Sequence, residues 1–514
     1  MSKRNHKTIN NYKYFNLKNT KNNSFLVVRG RYVNDLCNII GSMVLNQVYH
    51  SDVIIISDLK KKKFNDLFSF FGLKNIIYIF SYKKLHENIL LFFKSFFLSV
   101  YFLFKIKING LNWLINSFRL HDIKIGDLIY DTYTRYKHRY IDPKIDLYFF
   151  KILFESVFRF LKLISTLEKY KPKFILIGTD GYSYNDGILM RIGLSKKINT
   201  IEIQPKFLIQ NKNYQTKYGR DHLKMACNFS ININQNLINN HYSKKLKLKA
   251  SSAYTDSYFV ANKFTKSKKK LDFIYKKFDK IVLIAPHAFS DAPHTNGQLI
   301  FRDFYHQFIE TLKFIKRNKF KKNILWIIKN HPANFLYDEN YIFKDIISPY
   351  LSDKVIICPK NINTNYLIKY CDHVITTNGS IGMEFAAQGK KPILGGKSPY
   401  SNLGFTFDPK NQYQYFEAIK NIHNIKRLNK KQIFNAKKAI YILDKASYKY
   451  SLKESKILNF KKYNYSYNKG LLKNKFIANQ KIFLNSSLRN LKDKKIFKDP
   501  YFLSIREYFE TKIK

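Results

Sequence analysis

Short runs of β-branched and apolar residues alternate with helical segments along most of this 514-residue chain. Each run has the length of a strand buried on both faces, and the segments between them are long enough for crossover helices. The alternation predicts an α/β fold with mostly parallel sheets. The predicted strands are 24–30, 53–57, 76–80, 174–178 and 200–204 in the first half, and 280–285, 323–328, 354–358, 373–377 and 393–394 in the second.

The two groups of strands are separated by an irregular stretch rich in Asn, Lys and Ser at 206–278. We therefore predict two Rossmann-like domains facing a cleft, an N-terminal domain at 24–278 and a C-terminal domain at 279–449, for which the resemblance described below implies acceptor-side and nucleotide-donor roles. Residues 1–23 are polar and predict a disordered leader. The Lys-, Asn- and Tyr-rich residues 450–514 predict a basic, partly helical tail that is a candidate to pack back on the core.

The formal charge of +55 limits the choice of partners. Such a charge attracts nucleotides, anionic lipid and nucleic acid at long range. The basic residues are spread over the chain without a compact basic helix or an RNA-recognition signature, so no nucleic-acid partner is expected. An anionic membrane surface stays a candidate partner. The N-terminal residues lack the apolar core of a signal peptide, and the four cysteines lack a Cys-x-x-Cys spacing, which together predict a cytoplasmic location.

The most apolar segment is Asn88 to Phe104. Lys94 interrupts it and leaves a run of about ten residues, against the roughly twenty needed to span a bilayer. We predict a helix that is either part of the protein core, the favoured alternative, or docked on a membrane surface. Lys105 and Lys107 follow it and suit the second alternative.

A strand, a small-residue turn and a helix follow one another between Cys371 and Gly396. The predicted strand 373–377 leads to the turn, and the predicted helix 381–388 ends at a glycine. Unpaired N–H groups at such a turn favour an anion, although an ordinary βαβ crossover has the same pattern. The residues with predicted ligand contacts are Asn378, Gly379, Ser380 and, for a ribose or sugar hydroxyl, Glu384.

Two further loops follow strands of the second domain and should reach the same crevice. After strand 323–328, Lys329 offers a point charge to a phosphate, and His331 offers a hydrogen-bond donor on a turn fixed by Pro332. The loop 286–294 contains Asp291, which we predict as a general base.

Two histidines, His287 and His294, flank Asp291 in the sequence, and we predict that His287 takes part in catalysis beside Asp291. Metal binding by these three side chains is a minor alternative, because Pro286 and Pro293 favour a loop over a helix. The chain has no Asp-x-Asp motif near a strand end, which favours metal-independent chemistry.

The first domain offers a second acidic candidate. Asp180 follows strand 174–178, at the sheet edge where ligands bind, and is the alternative base. Asp127, Asp131 and Arg135 recur every four residues, so they share one helix face, where a surface ion pair is the plain interpretation.

Three segments of the second half resemble the C-terminal domain of bacterial surface-polysaccharide GT-B glycosyltransferases. They are Lys-Asn-His-Pro at 329–332, Val-Ile-Thr-Thr-Asn-Gly-Ser-Ile-Gly-Met-Glu at 374–384 and Gln-Gly-Lys-Lys-Pro at 388–392. The nearest group is the capsule-biosynthesis proteins that include the β-Kdo transferases. The resemblance covers about residues 280–410, and CDP-glycerol glycerophosphotransferases and UDP-GlcNAc 2-epimerases share similar landmarks.

The resemblance implies that the His-Pro pair and the 378–380 turn hold the nucleotide of a donor. It implies a catalytic role for Asp291, with Asp180 as the alternative, and no cofactor beyond the nucleotide-sugar substrate. We therefore expect a peripheral, cytoplasmic glycosyltransferase that extends a capsule or lipopolysaccharide glycan. The alternatives are a polyol-phosphate transferase that uses CDP-glycerol, an epimerase and a non-catalytic basic binding protein.

Overall fold

The computed structural model describes most of the two predicted domains. The described residues are 23–27, 33–49, 52–57, 76–78, 85–135, 138–178, 181–183, 186–204, 207–211, 233–247, 275–295, 299–331, 334–358, 362, 364–449, 455–456 and 497–512. The predicted leader lies outside them except for its last residue, and so does most of the predicted tail.

The described strands form two large sheets and one small hairpin. They are β1 (Asn23–Val27), β2 (Asp52–Ser57), β3 (Ile76–Tyr78), β4 (Arg119–Leu120), β5 (Ile123–Lys124), β6 (Phe174–Ile177), β7 (Asn199–Gln204), β8 (Phe207–Asn211), β9 (Lys280–Ile284), β10 (Ile324–Ile328), β11 (Val355–Ile357), β12 (His373–Thr376) and β13 (Ile393–Leu394).

The α-helices lie between these strands and after them. They are α1 (Val33–Tyr49), α2 (Leu85–Ser117), α3 (Gly126–Thr134), α4 (Leu147–Tyr170), α5 (Gly187–Ser195), α6 (Gln235–Lys247), α7 (Phe304–Arg317), α8 (Ile342–Ile347), α9 (Thr364–Tyr370), α10 (Ile381–Ala386), α11 (Gln412–Lys420), α12 (Lys430–Lys449) and α13 (Pro500–Lys512).

Both large sheets have the strand order of a doubly wound fold. The first sheet runs β3-β2-β1-β6-β7-β8, parallel except for the antiparallel β7–β8 pair. The second runs β11-β10-β9-β12-β13 and is parallel throughout. In each sheet the order reverses direction next to the first strand, between β1 and β6 and between β9 and β12. Such switch points are where α/β sheets bind ligands, and the predicted α/β fold with two Rossmann-like sheets is confirmed.

The cores explain why these strands read as continuous apolar runs. Strands β6, β10 and β12 are buried along their whole length, as expected of parallel strands covered by helices on both faces. Two long helices begin at side-chain caps that the sequence supplies: Asp146 accepts the N–H of Phe149 before α4, and Asp303 accepts that of His306 before α7.

Each large sheet and the helices that cover it form one unit, the first around β1 and the second around β9. The segments beyond the two sheets pack on both units. Helix α6 lies against α12 and the second unit, where the Gln388 amide donates to Tyr242 Oη at 2.8 Å. Helix α13 returns to the first unit and packs on α1, where Tyr501 lies beside Cys37. Because α6 belongs spatially to the second unit, the position of the domain boundary within 212–279 stays a prediction.

Helix α3 connects the two units through buried side chains. On the side of the first unit, the Asp127 carboxylate receives two hydrogen bonds from the Arg191 guanidinium, at 2.5 and 2.9 Å. On the side of the second unit, Asp131 Oδ1 lies 2.6 Å from His294 Nδ1 and Oδ2 accepts the His294 N–H at 3.0 Å. Next to it, the Tyr130 hydroxyl donates to Asp303 at 2.5 Å.

These contacts correct one prediction and remove His294 from the metal-binding alternative. Asp131 and Arg135 do not form a surface ion pair, because Asp131 is buried and bonded to His294. His294 does not support Asp291, since its ring is occupied by Asp131 and by the carbonyl of Arg302. Burial alone would lower the pKa of His294, but the Asp131 carboxylate outweighs it and raises that pKa. The pair is therefore a buried, hydrogen-bonded contact between the units.

Helix α2 is longer and more exposed than a core helix built from the apolar segment would be. It extends over 33 residues, nearly twice the predicted length, with non-helical backbone at Gly110. In the described part of the chain it is the one helix whose length and composition would suffice to cross a membrane. Between Asn88 and Phe104 most of the large apolar side chains are exposed, so the favoured prediction that this segment is a core helix is wrong.

We expect Arg191→Met to destabilise the first unit by about 3–5 kcal/mol, because it leaves the Asp127 carboxylate buried and without its charged partner. Chemical denaturation of the full chain measures this. Arg506→Met is the matched control: it breaks the exposed Arg506–Glu510 pair of α13 and should cost less than about 1 kcal/mol. Equal losses in the two variants would contradict the assignment.

Candidate active site

Three loops converge on the switch point of the second sheet. Strand β9 lies between β10 and β12, so the loops 286–294, 329–334 and 377–380 leave neighbouring strands at the same edge. The predicted site residues of the second unit are carried by these loops, with Glu384 one turn into the helix that follows. The order of strands and loops was sufficient to predict that these residues lie at one edge of the sheet. It was not sufficient to predict their contacts.

The loop 286–294 is held by a buried carboxylate from outside it. Glu339 accepts the N–H of Phe289 at 2.9 Å with one oxygen, and the N–H and hydroxyl of Ser290 at 3.0 and 2.9 Å with the other. Burial raises the pKa of Glu339 to about 7, against the three hydrogen bonds that favour the carboxylate. Protonation near neutral pH would remove part of this acceptor capacity and loosen the loop.

Asp291 lies between the two units with its side chain 35% exposed. Tyr337 is close enough to interact with it, and His287 Nδ1 lies 3.8 Å from Oδ2. The Arg135 guanidinium, 4.1 Å from the centroid of the Tyr337 ring, is close enough to interact electrostatically with Asp291. A partly exposed carboxylate beside a tyrosine hydroxyl and a histidine is suitably placed to accept a proton from a bound hydroxyl group.

His287 and His331 meet as a stacked pair, with ring centroids 4.6 Å apart and an interplanar angle of 26°. Phe304 lies against the other side of His287, 4.8 Å between centroids. Burial and the neighbouring His287 lower the pKa of His331 to about 3. His331 is therefore neutral at physiological pH and can offer one N–H to a phosphate, but no positive charge.

Lys329 lies on the far side of β10 from this pair. Its ammonium donates to the carbonyl of Ile362 at 2.9 Å, after β11 at the edge of the sheet. The structure therefore brings His331 and His287 together but holds Lys329 against backbone, and its contact with a phosphate stays a prediction.

The 378–380 turn is shaped by its own neighbours. The Tyr400 hydroxyl donates to the Gly379 carbonyl, and a Cβ on Gly382 would come within 2.3 Å of the same hydroxyl. Ser380 Oγ lies 3.2 Å from Glu384 Oε1, and Glu384 is buried. Helix α10 is six residues long rather than eight, so an anion here would depend on the N–H groups of the turn more than on a helix dipole.

The loop after β6 brings the switch point of the first sheet to the same place. The Tyr182 hydroxyl donates to the Ser290 carbonyl at 2.9 Å, and a Cβ on Gly181 would lie 3.0 Å from that of Ala292. The two switch points therefore face each other, with Asp291 at their junction. Asp180 and Pro332 lie outside the described residues, so their predicted roles remain untested.

The sequence did not reveal four contributors to this site. Tyr337 and Glu339 follow the His-Pro pair without a recognisable pattern, Tyr182 lies in a loop, and Arg135 was interpreted as a surface residue. The regular spacing of Asp127, Asp131 and Arg135 was the available signal. It indicates one helix face, which the structure shows to be buried rather than on the surface. Within the described ranges, no group of three or more His, Cys, Asp or Glu side chains is arranged to hold a metal ion.

Two Rossmann-like units with opposed switch points are the architecture of two-domain GT-B enzymes. A model of the family described as capsule polysaccharide biosynthesis protein matches residues 183–452. This range is more than half of the chain, and the protein belongs to that family. The match confirms the predicted family of capsule-biosynthesis proteins. Among curated proteins, none matches the chain.

Solved structures show only distant similarity. The KpsC β-Kdo 2,4 transferase of Thermosulfurimonas dismutans is 14% identical, with 52% of this chain and 79% of that chain covered and a TM-score of 0.32. A Rickettsia africae glycosyltransferase is 11% identical, with 90% and 99% covered and a TM-score of 0.27. The Neisseria meningitidis UDP-GlcNAc 2-epimerase is 12% identical, with 82% and 97% covered and a TM-score of 0.25. Similarities of this size do not define a shared reaction.

We expect Glu339→Gln to lower the turnover number while changing the apparent affinity for donor little, because an amide cannot accept all three loop hydrogen bonds. Loss of a buried acceptor should also cost about 1–3 kcal/mol of stability. In the parent protein, turnover should fall as the pH drops through about 7, where Glu339 takes up a proton. The variant should lack this acid limb. A pH series of initial rates tests both points.

Glu310→Gln is the control, since Glu310 is a partly exposed residue of α7 paired with Lys313. A Glu339→Gln variant with the parent's pH profile and rate would show that the carboxylate does not position the loop.

Proposed function

We propose that the protein transfers a sugar from a nucleotide-sugar donor to a hydroxyl group of a growing capsule glycan. The nucleotide lies at the switch point of the second sheet, and the glycan enters from the side of the first. The protein works in the cytoplasm, at the inner face of the cytoplasmic membrane. The observation that carries the proposal is the junction of the two switch points at Asp291, in a chain of the capsule polysaccharide biosynthesis family.

Asp291 acts as the general base in this proposal. Its partly exposed carboxylate accepts the proton of the acceptor hydroxyl as that oxygen attacks the anomeric carbon of the donor. Tyr337 and His287 orient the carboxylate from two sides. Asp180, which follows β6 on the acceptor side, is the alternative base.

The departing nucleotide phosphate takes the electron pair of the broken glycosidic bond. Its negative charge is stabilised by hydrogen-bond donors that are already in place, which is electrostatic catalysis. The neutral His331 contributes one N–H, and the backbone of Asn378, Gly379 and Ser380 contributes others. Glu384, bonded to Ser380, fixes the turn, and the chemistry uses no metal ion.

We expect Asp291→Asn to reduce glycan extension about 10²–10⁴-fold while nucleotide binding is retained, because only the proton acceptor is removed. The measurement is donor consumption and acceptor extension by purified protein, beside Asp180→Asn. Asp345→Asn, at an exposed position of α8, is the control and should be fully active. Full activity of Asp291→Asn with loss in Asp180→Asn would transfer the role to Asp180.

We expect His331→Ala to weaken nucleotide binding by about 0.5–1.5 kcal/mol, the contribution of one neutral hydrogen bond. A thermal-shift titration with CMP, CDP, UDP and GDP measures this and identifies the nucleotide. His423→Ala, in a short 3₁₀ turn of the second unit, serves as the control. Binding of CDP together with consumption of CDP-glycerol would indicate a polyol-phosphate transferase instead.

The remaining alternatives give different results in the same assays. An epimerase would convert the donor sugar without an acceptor. A non-catalytic binding protein would leave every donor unchanged and would bind polyanions with a steep salt dependence. Either result would overturn the proposed transfer reaction.

A further inference from the structure

An exposed apolar stripe runs along helix α2 on the outside of the first unit. Its members recur at intervals of three or four residues, and Leu90, Phe97 and Ile108 are 80%, 66% and 82% exposed. The stripe consists of Leu90, Phe93, Phe97, Tyr101, Phe104 and Ile108. Within the described ranges, nothing covers these side chains, and water-exposed apolar side chains in such a row usually mark a binding surface.

The opposite face of α2 is fixed to the protein. Ser95, Ser99 and Ile106 are buried, and the helix packs on α3 and α4. The hydroxyls of Ser95 and Ser99 donate to the carbonyls of Leu91 and Ser95, at 2.6 and 2.7 Å, so this close-packed face leaves neither hydroxyl unsatisfied. A helix that is bonded lengthwise to an α/β unit can present one side to a bilayer but cannot cross it.

The spacing of the stripe does not suit a left-handed coiled coil with a second helix. Positions 90, 93 and 97 are followed eleven residues later by 101, 104 and 108, which gives about 3.67 residues per turn. This period keeps the stripe on one side of a nearly straight helix. A left-handed coiled coil with a second copy of the chain would need a period of 3.5.

Lysines border the stripe on both sides. At 100° per residue, Lys94 and Lys105 lie along one edge and Lys107 along the other. All three are exposed, and Lys105 Nζ lies 4.8 Å from the centroid of the Tyr101 ring. Lysines in this position can extend to phosphate groups while their stems cover apolar surface. The +55 charge of the chain attracts the same anionic surface.

We infer that α2 docks the protein on an anionic phospholipid bilayer, lying in the plane of the interface with the stripe below the headgroups and the three lysines among the phosphates. The location proposed above names no contact surface. Helix α2 provides that contact surface, whether or not the proposed reaction is correct.

Flotation of the full-length protein with lipid vesicles tests the inference. Vesicles of phosphatidylcholine alone and with phosphatidylglycerol are the probes, each at low and at physiological salt. We expect binding to vesicles that contain phosphatidylglycerol. Leu90→Asp/Phe97→Asp/Ile108→Asp should lower the partition coefficient at least about a hundredfold, since each buried Leu, Ile or Phe side chain contributes roughly a factor of ten. Lys94→Glu/Lys105→Glu should remove the preference for phosphatidylglycerol.

The control variant is Leu237→Asp/Tyr413→Asp/Leu503→Asp, which changes exposed apolar residues of α6, α11 and α13 and should bind vesicles as the parent does. Nucleotide binding, measured in every variant, shows that the fold and the donor site are intact. If the parent protein also fails to bind nucleotide, that result counts against the proposed function alone.

Four results would overturn the docking inference. The stripe variant could float like the parent protein, or the parent could fail to float. Light scattering without lipid could show that the parent protein is a dimer and the stripe variant a monomer. The stripe would then be a contact between two copies of the chain. Resistance of the bound protein to alkaline carbonate would instead indicate a helix that spans the bilayer.

Discussion

The position of the cleft depends on the buried polar side chains of helix α3. Asp127 is bonded to Arg191 in the first unit, while Asp131 is bonded to His294 in the second. Both carboxylates are almost fully buried, so each is tolerated only because its partner supplies charge and hydrogen bonds. Since the loop of His294 also contains Asp291, one helix sets both the separation of the two sheets and the place of the proposed base between them.

Predictions about the backbone succeeded where burial was uniform. Continuous apolar runs identified β6, β9, β10 and β12 within about a residue or two, because a strand covered on both faces needs apolar side chains at every position. The three loops around β9 followed from strand order alone, since the carboxyl ends of parallel strands meet at one edge.

Side-chain contacts could not be predicted in this way, because the partner of a side chain is often a residue far away in the sequence. Asp131 and Arg135 have the spacing of an exposed ion pair. In the structure Asp131 is buried and bonded to His294, which lies 163 residues further along the chain. Glu339 lies in a short irregular segment with no periodicity. The length of α2 was underestimated for a related reason: Lys94 and the lysines after Phe104 interrupt the apolar run, yet a helix that is exposed on one side can carry them along its border.

The chain that leads from α2 to the cleft is short and tightly packed. Helix α2 ends at Ser117, a hairpin of β4 and β5 follows, and α3 begins at Gly126. A Cβ on Gly126 would lie 1.8 Å from the Leu114 carbonyl oxygen and 2.6 Å from Phe118 Cβ, so the end of α2 and the start of α3 are in direct contact. A bilayer bound to α2 would therefore have a defined orientation relative to α3 and to the two sheets that α3 connects. For an enzyme whose acceptor grows from a membrane, such a rigid connection would bring each glycan end to the cleft from the same direction.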